Sequence, residues 1–244
     1  MKIFGLIGKP LSHSFSQRWF KAKFDREKLS DHRYELFPLE EASGLKVLMK
    51  ETEGLSGLNV TIPYKQEVMR LLDEIDPMAS CVGAVNTIAI RDGKAIGHNT
   101  DVIGFRATLK PLIDGQKPRA LVLGSGGASR AVAFVLKEFG IRFRIVSRSR
   151  DRGDLTWDLL DPTVIKVCPL IINTTPIGMF PDVDQCPPLP YEAIGPKHTL
   201  IDLVYNPEET LFLRKGRQQG ARTTNGMCML EAQAEASWKI WNDR

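Results

Sequence analysis

A glycine-rich turn in the middle of the chain constrains the fold more than any other feature. The turn, Gly124-Ser-Gly-Gly-Ala128, lies between an apolar strand predicted over 120–123 and an apolar-periodic helix predicted over 129–139. Glycines let the backbone turn sharply and approach a pyrophosphate, and the N–H groups at the start of the helix point at that anion. The segment therefore predicts the first strand, turn and helix of a dinucleotide-binding sheet.

The residues after the next strand indicate which dinucleotide binds. A strand predicted over 142–146 is followed by Ser147, Arg148, Ser149 and Arg150. A site that prefers NAD carries an acidic residue at this place, about 20 residues past the turn, to hold the ribose 2′-OH. Two guanidiniums and two hydroxyls suit a 2′-phosphate instead, which favours NADP. The alternative is an ordinary turn of an α/β sheet followed by solvated arginines.

Length and charge exclude several classes of protein. A chain of 244 residues can form one large or two modest domains. The net charge of +4 is small and its cations are scattered, which argues against a nucleic-acid partner. No apolar run approaches membrane-spanning length, so we expect no membrane partner. Four cysteines without C-x-x-C spacing predict reduced thiols in a cytoplasmic protein. The sequence contains no cluster of His and Cys residues, so we expect no metal site.

Alternating strand and helix patterns predict an α/β architecture of two domains with parallel sheets. The first domain is expected over 1–102 and the dinucleotide-binding domain over 103–226. The apolar face of the last helix, 227–244, needs a partner surface, and we expect it to pack back on the first domain. Within the first domain a helix is predicted over 64–75. In the second, Asn206 followed by Pro207 predicts a helix start.

Four polar clusters follow predicted strands of the first domain, and ligands in open α/β sheets bind at the carboxyl ends of strands. These clusters lie at 12–16, 59–65, 83–87 and 97–101. Together they offer hydroxyls and amides for a small polyhydroxylated ligand, with one ammonium, Lys65, and one carboxylate, Asp101. Each residue also has a structural interpretation: Lys65 as a solvated lysine and Asp101 as a helix cap.

Seven motifs, in order along the whole chain, resemble those of the shikimate dehydrogenase family. They are Gly5-Leu-Ile-Gly-Lys-Pro with His13-Ser-Phe-Ser16, Asn59-Val-Thr-Ile-Pro-Tyr-Lys65, Gly83-Ala-Val-Asn-Thr87, Asn99-Thr-Asp101, Gly124-Ser-Gly-Gly-Ala-Ser-Arg130, Asp202-Leu-Val-Tyr-Asn-Pro207 and Gln233-Ala234. The resemblance implies an N-terminal α/β substrate-binding catalytic domain and a Rossmann-type NADP-binding domain. The stretch from 150 to 170 is shorter than in most members, which weakens the expected cofactor discrimination.

The resemblance also implies a role for individual residues. The catalytic pair would be Lys65 and Asp101. Substrate-binding residues would be Ser14 and Ser16 at the carboxylate, and Thr61, Asn86, Tyr205 and Gln233 at the ring hydroxyls. Cofactor-binding residues would be Gly124, Ser125, Gly126, Gly127 and Ala128 at the pyrophosphate, Ser147, Arg148, Ser149 and Arg152 at the adenosine phosphate, and Leu203 and Gly226 near the nicotinamide.

The implied reaction is the reversible, NADPH-dependent reduction of 3-dehydroshikimate to shikimate, in aromatic amino acid (chorismate) biosynthesis, by a cytoplasmic monomer or homodimer. An ammonium near the carbonyl oxygen stabilises developing negative charge and can supply the proton. We expect Lys65 to do so, although the sequence leaves transfer by Asp101 open. Two other hypotheses stand beside this one: an NAD-dependent quinate/shikimate dehydrogenase, and a non-catalytic sensor that binds shikimate or a nucleotide.

Overall fold

The computed structural model describes residues 1–9, 11 and 15–243. The chain divides into two compact units. The first comprises Met1–Thr100 together with the chain from Gln233 onward, and the second comprises Asp101–Ala232. Each unit contains one six-stranded sheet. Within the described part of the chain, helices that combine the length and the apolar character needed to cross a membrane are absent.

The first unit contains a mixed sheet flanked by helices. Its elements are β1 (Lys2–Gly8), α1 (Phe15–Glu27), β2 (His32–Pro38), α2 (Gly44–Glu51), β3 (Leu55–Val60), β4 (Glu74–Ile75), α3 (Pro77–Val82), β5 (Thr87–Arg91) and β6 (Lys94–His98). The strand order is β2-β1-β3-β5-β6-β4. Strands β1, β2 and β3 run parallel, whereas β5 pairs antiparallel with both β3 and β6. Six of the seven residues of β1 are buried, as expected for a strand covered on both faces.

The helix predicted over 64–75 is wrong. Only Glu67–Leu71 is helical, as a 3₁₀ turn, and Glu74–Ile75 forms the edge strand β4 beside β6. Asp73 explains the difference, because its backbone N–H donates to the carbonyl of Ala95 and its carboxylate accepts the N–H of Ala95. This exchange fixes residue 73 alongside β6 and ends the helical turn. Apolar spacing alone does not reveal such a pairing partner 22 residues away.

The second unit contains a fully parallel sheet. Its elements are α4 (Asp101–Ile113), β7 (Ala120–Leu123), α5 (Gly127–Glu138), β8 (Phe143–Ser147), β9 (Leu155–Thr156), α6 (Pro162–Val167), β10 (Leu170–Asn173), β11 (Thr199–Asp202), α7 (Leu211–Gln218), β12 (Arg222–Thr224) and the first six residues of α8 (Met227–Asn242). The strand order is β12-β11-β10-β7-β8-β9, so the chain reverses direction between β7 and β10. This is the order of doubly wound dinucleotide-binding folds, which confirms the predicted fold class.

The helix after β11 begins later than Asn206 and Pro207 predict. Thr210 is its N-cap, and the hydroxyl of Thr210 accepts the N–H of Leu213. The carboxylate of Asp202 accepts a hydrogen bond from the same hydroxyl and holds the cap at the end of β11. The sequence pattern Asn-Pro-Glu-Glu is therefore a loop, because a buried side chain eight residues away selects a different cap.

Helix α8 begins in the second unit and continues in the first. Its second half packs in an aromatic cluster of the first unit, where the ring centroid of Trp241 lies 4.8 Å from that of Phe4 and 5.2 Å from that of Phe20. The indole N–H of Trp241 donates to the carbonyl of Ile88 in β5. The end of the last helix thus packs on the first domain, as predicted.

Candidate active site

The glycine turn of the second unit presents backbone rather than side chains. Gly124 has a φ of +110°, and a Cβ at this position would lie 2.7 Å from the hydroxyl oxygen of Thr174. Gly126 is the N-cap of α5 and has no side chain to cap the helix, and a Cβ there would meet nothing within 4 Å. The start of α5 thus has no capping side chain and has open space beside Gly126, and an uncapped helix start of this kind can bind an anion.

The loop after β8 carries the arginines. Ser147 is buried at the end of β8, and its hydroxyl lies 3.1 Å from that of Ser125 in the glycine turn. Arg148, Ser149 and Arg152 are exposed. The loop ends at β9, and just before that strand the carboxylate of Asp154 accepts the N–H of Ile145. Two hydroxyls thus join the turn to a loop rich in guanidinium groups, which suits a phosphate-bearing ribose.

The point where the sheet reverses direction lies beside the glycine turn. After β10, the hydroxyl of Thr174 donates to the carbonyl of Leu123, the last residue of β7. Asn173 accepts hydrogen bonds at Oδ1 from both the N–H and the hydroxyl of Thr175. Ligands of doubly wound sheets bind at such a switch point. The sequence prediction missed Thr174 and Thr175, because their role follows from the strand order.

Leu203 and Gly226 come together in the structure. A Cβ on Gly226 would lie 2.2 Å from the carbonyl oxygen of Leu203, so only glycine permits this approach. The N–H of Gly226 also donates to the carbonyl of Val204, and Leu203 donates its own N–H to Asn173. Tyr205 follows two residues later and is half-buried. The loop after β11 thus holds its backbone against the start of α8.

The carboxylate of Asp202, at the end of β11, holds that loop in place through hydrogen bonds. One carboxylate oxygen accepts hydrogen bonds from the amide of Asn173 and the N–H of Val204, and the other accepts the hydroxyl of Thr210 at 2.6 Å. Burial raises the pKa of Asp202 to about 6, against the lowering effect of these three donors. Asp202 begins the sequence motif over 202–207, but no role was predicted for it.

In the first unit, Lys65 lies in the turn that follows β3. Its backbone carbonyl accepts the N–H of Val85 at 2.7 Å, which places Lys65 beside the segment that contains Asn86. Thr61 is half-buried at the start of the same turn, with its N–H bonded to the carbonyl of Ile7. Lys65 is half-buried as well, so the turn holds an ammonium-bearing residue at the carboxyl end of β3.

Asn86 and Gln233 meet through their amides. The Nδ2 group of Asn86 lies 3.3 Å from Oε1 of Gln233 and 3.0 Å from the hydroxyl of Thr100. The Oδ1 atom of Asn86 accepts the backbone N–H of Thr100 at 2.7 Å. Both amides are therefore oriented by donors and acceptors of known type. The structure thus brings together two predicted substrate-binding residues that are 147 positions apart.

A buried polar network lies behind these amides. Asn59 accepts the hydroxyl of Tyr34 at 2.8 Å and donates to Thr87 and to Ser237, both of which are fully buried. Ser16, the second residue of α1, is buried and hydrogen-bonded to Tyr34, and burial raises the pKa of that phenol. The sequence prediction missed Tyr34 and Ser237. Ser237 was recognisable as one helical turn beyond Gln233.

The remaining predicted residues are Asp101 and Ser14. Asp101 is buried as the first residue of α4, and it follows Thr100 directly in the chain. The predicted substrate residue Ser14 lies outside the described residues.

Comparisons with known proteins agree with this arrangement. A family profile described as the shikimate dehydrogenase substrate binding domain matches residues 6–88. The shikimate dehydrogenase (NADP(+)) of Methanocaldococcus jannaschii is 39% identical over 260 residues, an alignment that covers 98% of this chain and 91% of that relative. The chain belongs to the shikimate dehydrogenase family.

Solved structures extend the comparison. A shikimate dehydrogenase of Thermus thermophilus in complex with NADP(H) and shikimate has a TM-score of 0.87 at 31% identity, with coverage of 99% of this chain and 94% of that chain. A quinate dehydrogenase of Corynebacterium glutamicum in complex with NAD reaches the same TM-score, 0.87, at 26% identity, with coverage of 99% and 93%. The shared fold therefore accommodates relatives named for different substrates and cofactors.

Proposed function

We propose that the protein is an NADP-dependent shikimate dehydrogenase that catalyses the reversible reduction of 3-dehydroshikimate to shikimate in the chorismate pathway. One observation carries the proposal beyond family membership: the amide of Asn86 contacts that of Gln233, and the residue before Asn86, Val85, donates its N–H to the carbonyl of Lys65. Amides and hydroxyls suit a polyhydroxylated ring, and an ammonium suits a ketone oxygen that gains negative charge.

Lys65 and Asp101 are the proposed catalytic residues. NADPH, when bound, supplies the hydride. Lys65 stabilises the oxygen of the reacting carbonyl and donates the proton that completes the alcohol. Asp101 provides the compensating negative charge and an alternative proton carrier. In the reverse direction the same two groups accept the proton from the alcohol.

The remaining proposed contacts divide by the chemistry of the substrate. Its carboxylate is bound by two hydroxyls, and its ring hydroxyls are bound by one further hydroxyl, a phenol and two amides. The proposed carboxylate ligands are Ser14 and Ser16, and the proposed hydroxyl ligands are Thr61, Asn86, Tyr205 and Gln233.

The second unit fits NADP on the chemistry of its own groups. The uncapped start of α5, with open space before Gly126, suits the pyrophosphate. Exposed Arg148 and Arg152 suit the 2′-phosphate, aided by Ser147 and Ser149. The proposed pyrophosphate ligands are the backbone groups of Gly124, Ser125, Gly126, Gly127 and Ala128. Leu203 and Gly226 are proposed to line the nicotinamide, and their backbones lie in close contact.

Initial rates with purified protein test the function. We expect shikimate-dependent formation of NADPH from NADP⁺, with a much lower kcat/KM for quinate and for NAD. Preference for quinate with NAD would favour the second type of dehydrogenase. Calorimetric binding of shikimate without any change in NADPH absorbance would favour a sensor. Lys65 and Asp101 argue against a sensor, which needs neither.

We also propose a cytoplasmic location and a monomeric or homodimeric state. Four free cysteines support the location, because thiols persist in reducing compartments. Analytical ultracentrifugation distinguishes the two oligomeric states.

A further inference from the structure

Ser237 has an unusually complete set of hydrogen bonds for a serine inside a helix. Its side chain is fully buried on α8. Its hydroxyl lies 2.9 Å from the carbonyl of Gln233, 2.8 Å from the hydroxyl of Thr87 and 2.9 Å from the amide Nδ2 of Asn59. A hydroxyl has one donor and two acceptor positions, and these three partners use all of them.

The partners of Ser237 come from three different elements. Asn59 belongs to β3, Thr87 opens β5, and the carbonyl of Gln233 lies one turn earlier on α8. The hydroxyl of Thr100 is a fourth neighbour, at 3.2 Å. Ser237 therefore connects the turn of α8 that carries Gln233 to the two strands behind Asn86.

This connection determines how Gln233 is presented. Oε1 of Gln233 faces Nδ2 of Asn86 and the hydroxyl of Thr100, at 3.3 and 3.4 Å. Because these donors occupy Oε1, the Nε2 group is the end of the amide that remains to donate to a ligand oxygen. A small shift of the α8 turn would break both contacts, since both distances are already near the limit of a hydrogen bond.

We infer that Ser237 is a positioning residue for substrate recognition: it sets the place and orientation of the Gln233 amide relative to Asn86. The inference rests on the proposed function, because it assigns a readout in shikimate binding. Ser237 itself is buried and contacts no substrate, so its effect passes through Gln233.

The test compares Ser237→Ala with a matched control. Thr108 is also a buried helical hydroxyl, and it donates to the carbonyl four residues earlier, Gly104, as Ser237 does to Gln233. Thr108→Val removes that hydroxyl without touching the network. We expect Ser237→Ala to raise the KM for shikimate about tenfold, the equivalent of one lost hydrogen bond. The KM for NADP⁺ should change less than about twofold, and Thr108→Val should leave both constants near wild type.

A double variant sharpens the test. In Gln233→Ala there is no amide left to orient, so adding Ser237→Ala should raise the KM for shikimate little further. If Ser237→Ala does not fold, Ser237→Cys replaces it, because a thiol fills the space but bonds weakly; an increase of about threefold is expected.

Three outcomes contradict the inference. An unchanged KM for shikimate in a folded Ser237 variant, with active wild type, removes the role of Ser237 alone. Equal increases in both KM values, or fully additive effects with Gln233→Ala, show a general structural role. Absence of shikimate turnover in the wild type overturns the proposed function and with it this role.

Discussion

The two units build their candidate sites from different parts of the chain. In the second unit the proposed anion site consists of backbone N–H groups of consecutive residues, and the proposed supporting charges lie exposed on the next loop. In the first unit the amides of Asn86 and Gln233 are oriented by side chains from β3, β5 and α8. A backbone site depends on local conformation, whereas a side-chain network depends on contacts between distant segments.

The largest expected effect tests the chemistry of the first unit. Lys65→Ala should lower kcat by about 10²- to 10⁴-fold, since a positioned acid is lost from the transition state. NADPH affinity, measured by fluorescence titration, should stay near wild type if the units bind their ligands through separate groups. Turnover close to wild type would remove Lys65 from the mechanism.

Asp202 tests the contrast between the two units, because it belongs to a buried side-chain network inside the second unit. The pKa of Asp202 in the folded protein, about 6, lies above the ordinary value of 3.8 for an aspartate. The folded protein thus binds this proton more tightly than the unfolded chain. The stabilisation of the folded state by this proton is complete below pH 3.8 and is lost as the pH rises through about 6.

Asp202→Asn keeps the neutral shape and removes the titration. Between pH 4 and 7 the free energy of unfolding of the variant, relative to wild type, should rise by about 3 kcal/mol, from a shift of about two pK units. Urea unfolding at several pH values measures this difference. Parallel pH curves for the two proteins would show that Asp202 is ionised without penalty.

Two glycine variants test the dependence of the second unit's site on backbone conformation. Gly124→Ala forces a positive φ and a clash with Thr174, so we expect a loss of about 1–3 kcal/mol in unfolding free energy. Gly126→Ala meets no protein atom and should cost less than about 1 kcal/mol, yet weaken NADPH binding by filling the space before α5. Urea unfolding and NADPH titration separate the two effects. Equal stability losses would contradict the geometry of the turn.

The smallest effect concerns the exposed loop. Arg148→Ala should reduce the preference for NADP⁺ over NAD about threefold to tenfold, because an exposed guanidinium is partly screened by solvent. The ratio of kcat/KM for the two cofactors measures it. Arg144→Ala is a suitable control, since Arg144 lies within β8, and its side chain pairs with Asp154 at 3.5 Å. A similar loss in both variants would indicate a general effect of charge.

The sequence predicts these two sites unequally, for the same physical reason. The glycine turn, α5 and β8 follow from local spacing, and the structure places them within one or two residues. The helix over 64–75 fails because Asp73 pairs with Ala95, a contact that apolar periodicity does not encode. Tyr34 was missed in the same way, since its hydrogen bond to Asn59 forms only once β2 and β3 belong to one sheet. Helical spacing places Ser237 beside Gln233, but its contacts with Asn59 and Thr87 depend on the assembled strands.

The course of α8 has a consequence for synthesis. Residues 101–232 form a continuous stretch, so that unit can complete its sheet as soon as it leaves the ribosome. The first hundred residues lack Trp241 against Phe4 and Ser237 against Asn59 until the closing helix emerges. The part of the protein that is translated first is therefore the last to complete its core, and until then its aromatic cluster lacks the rings of Trp238 and Trp241.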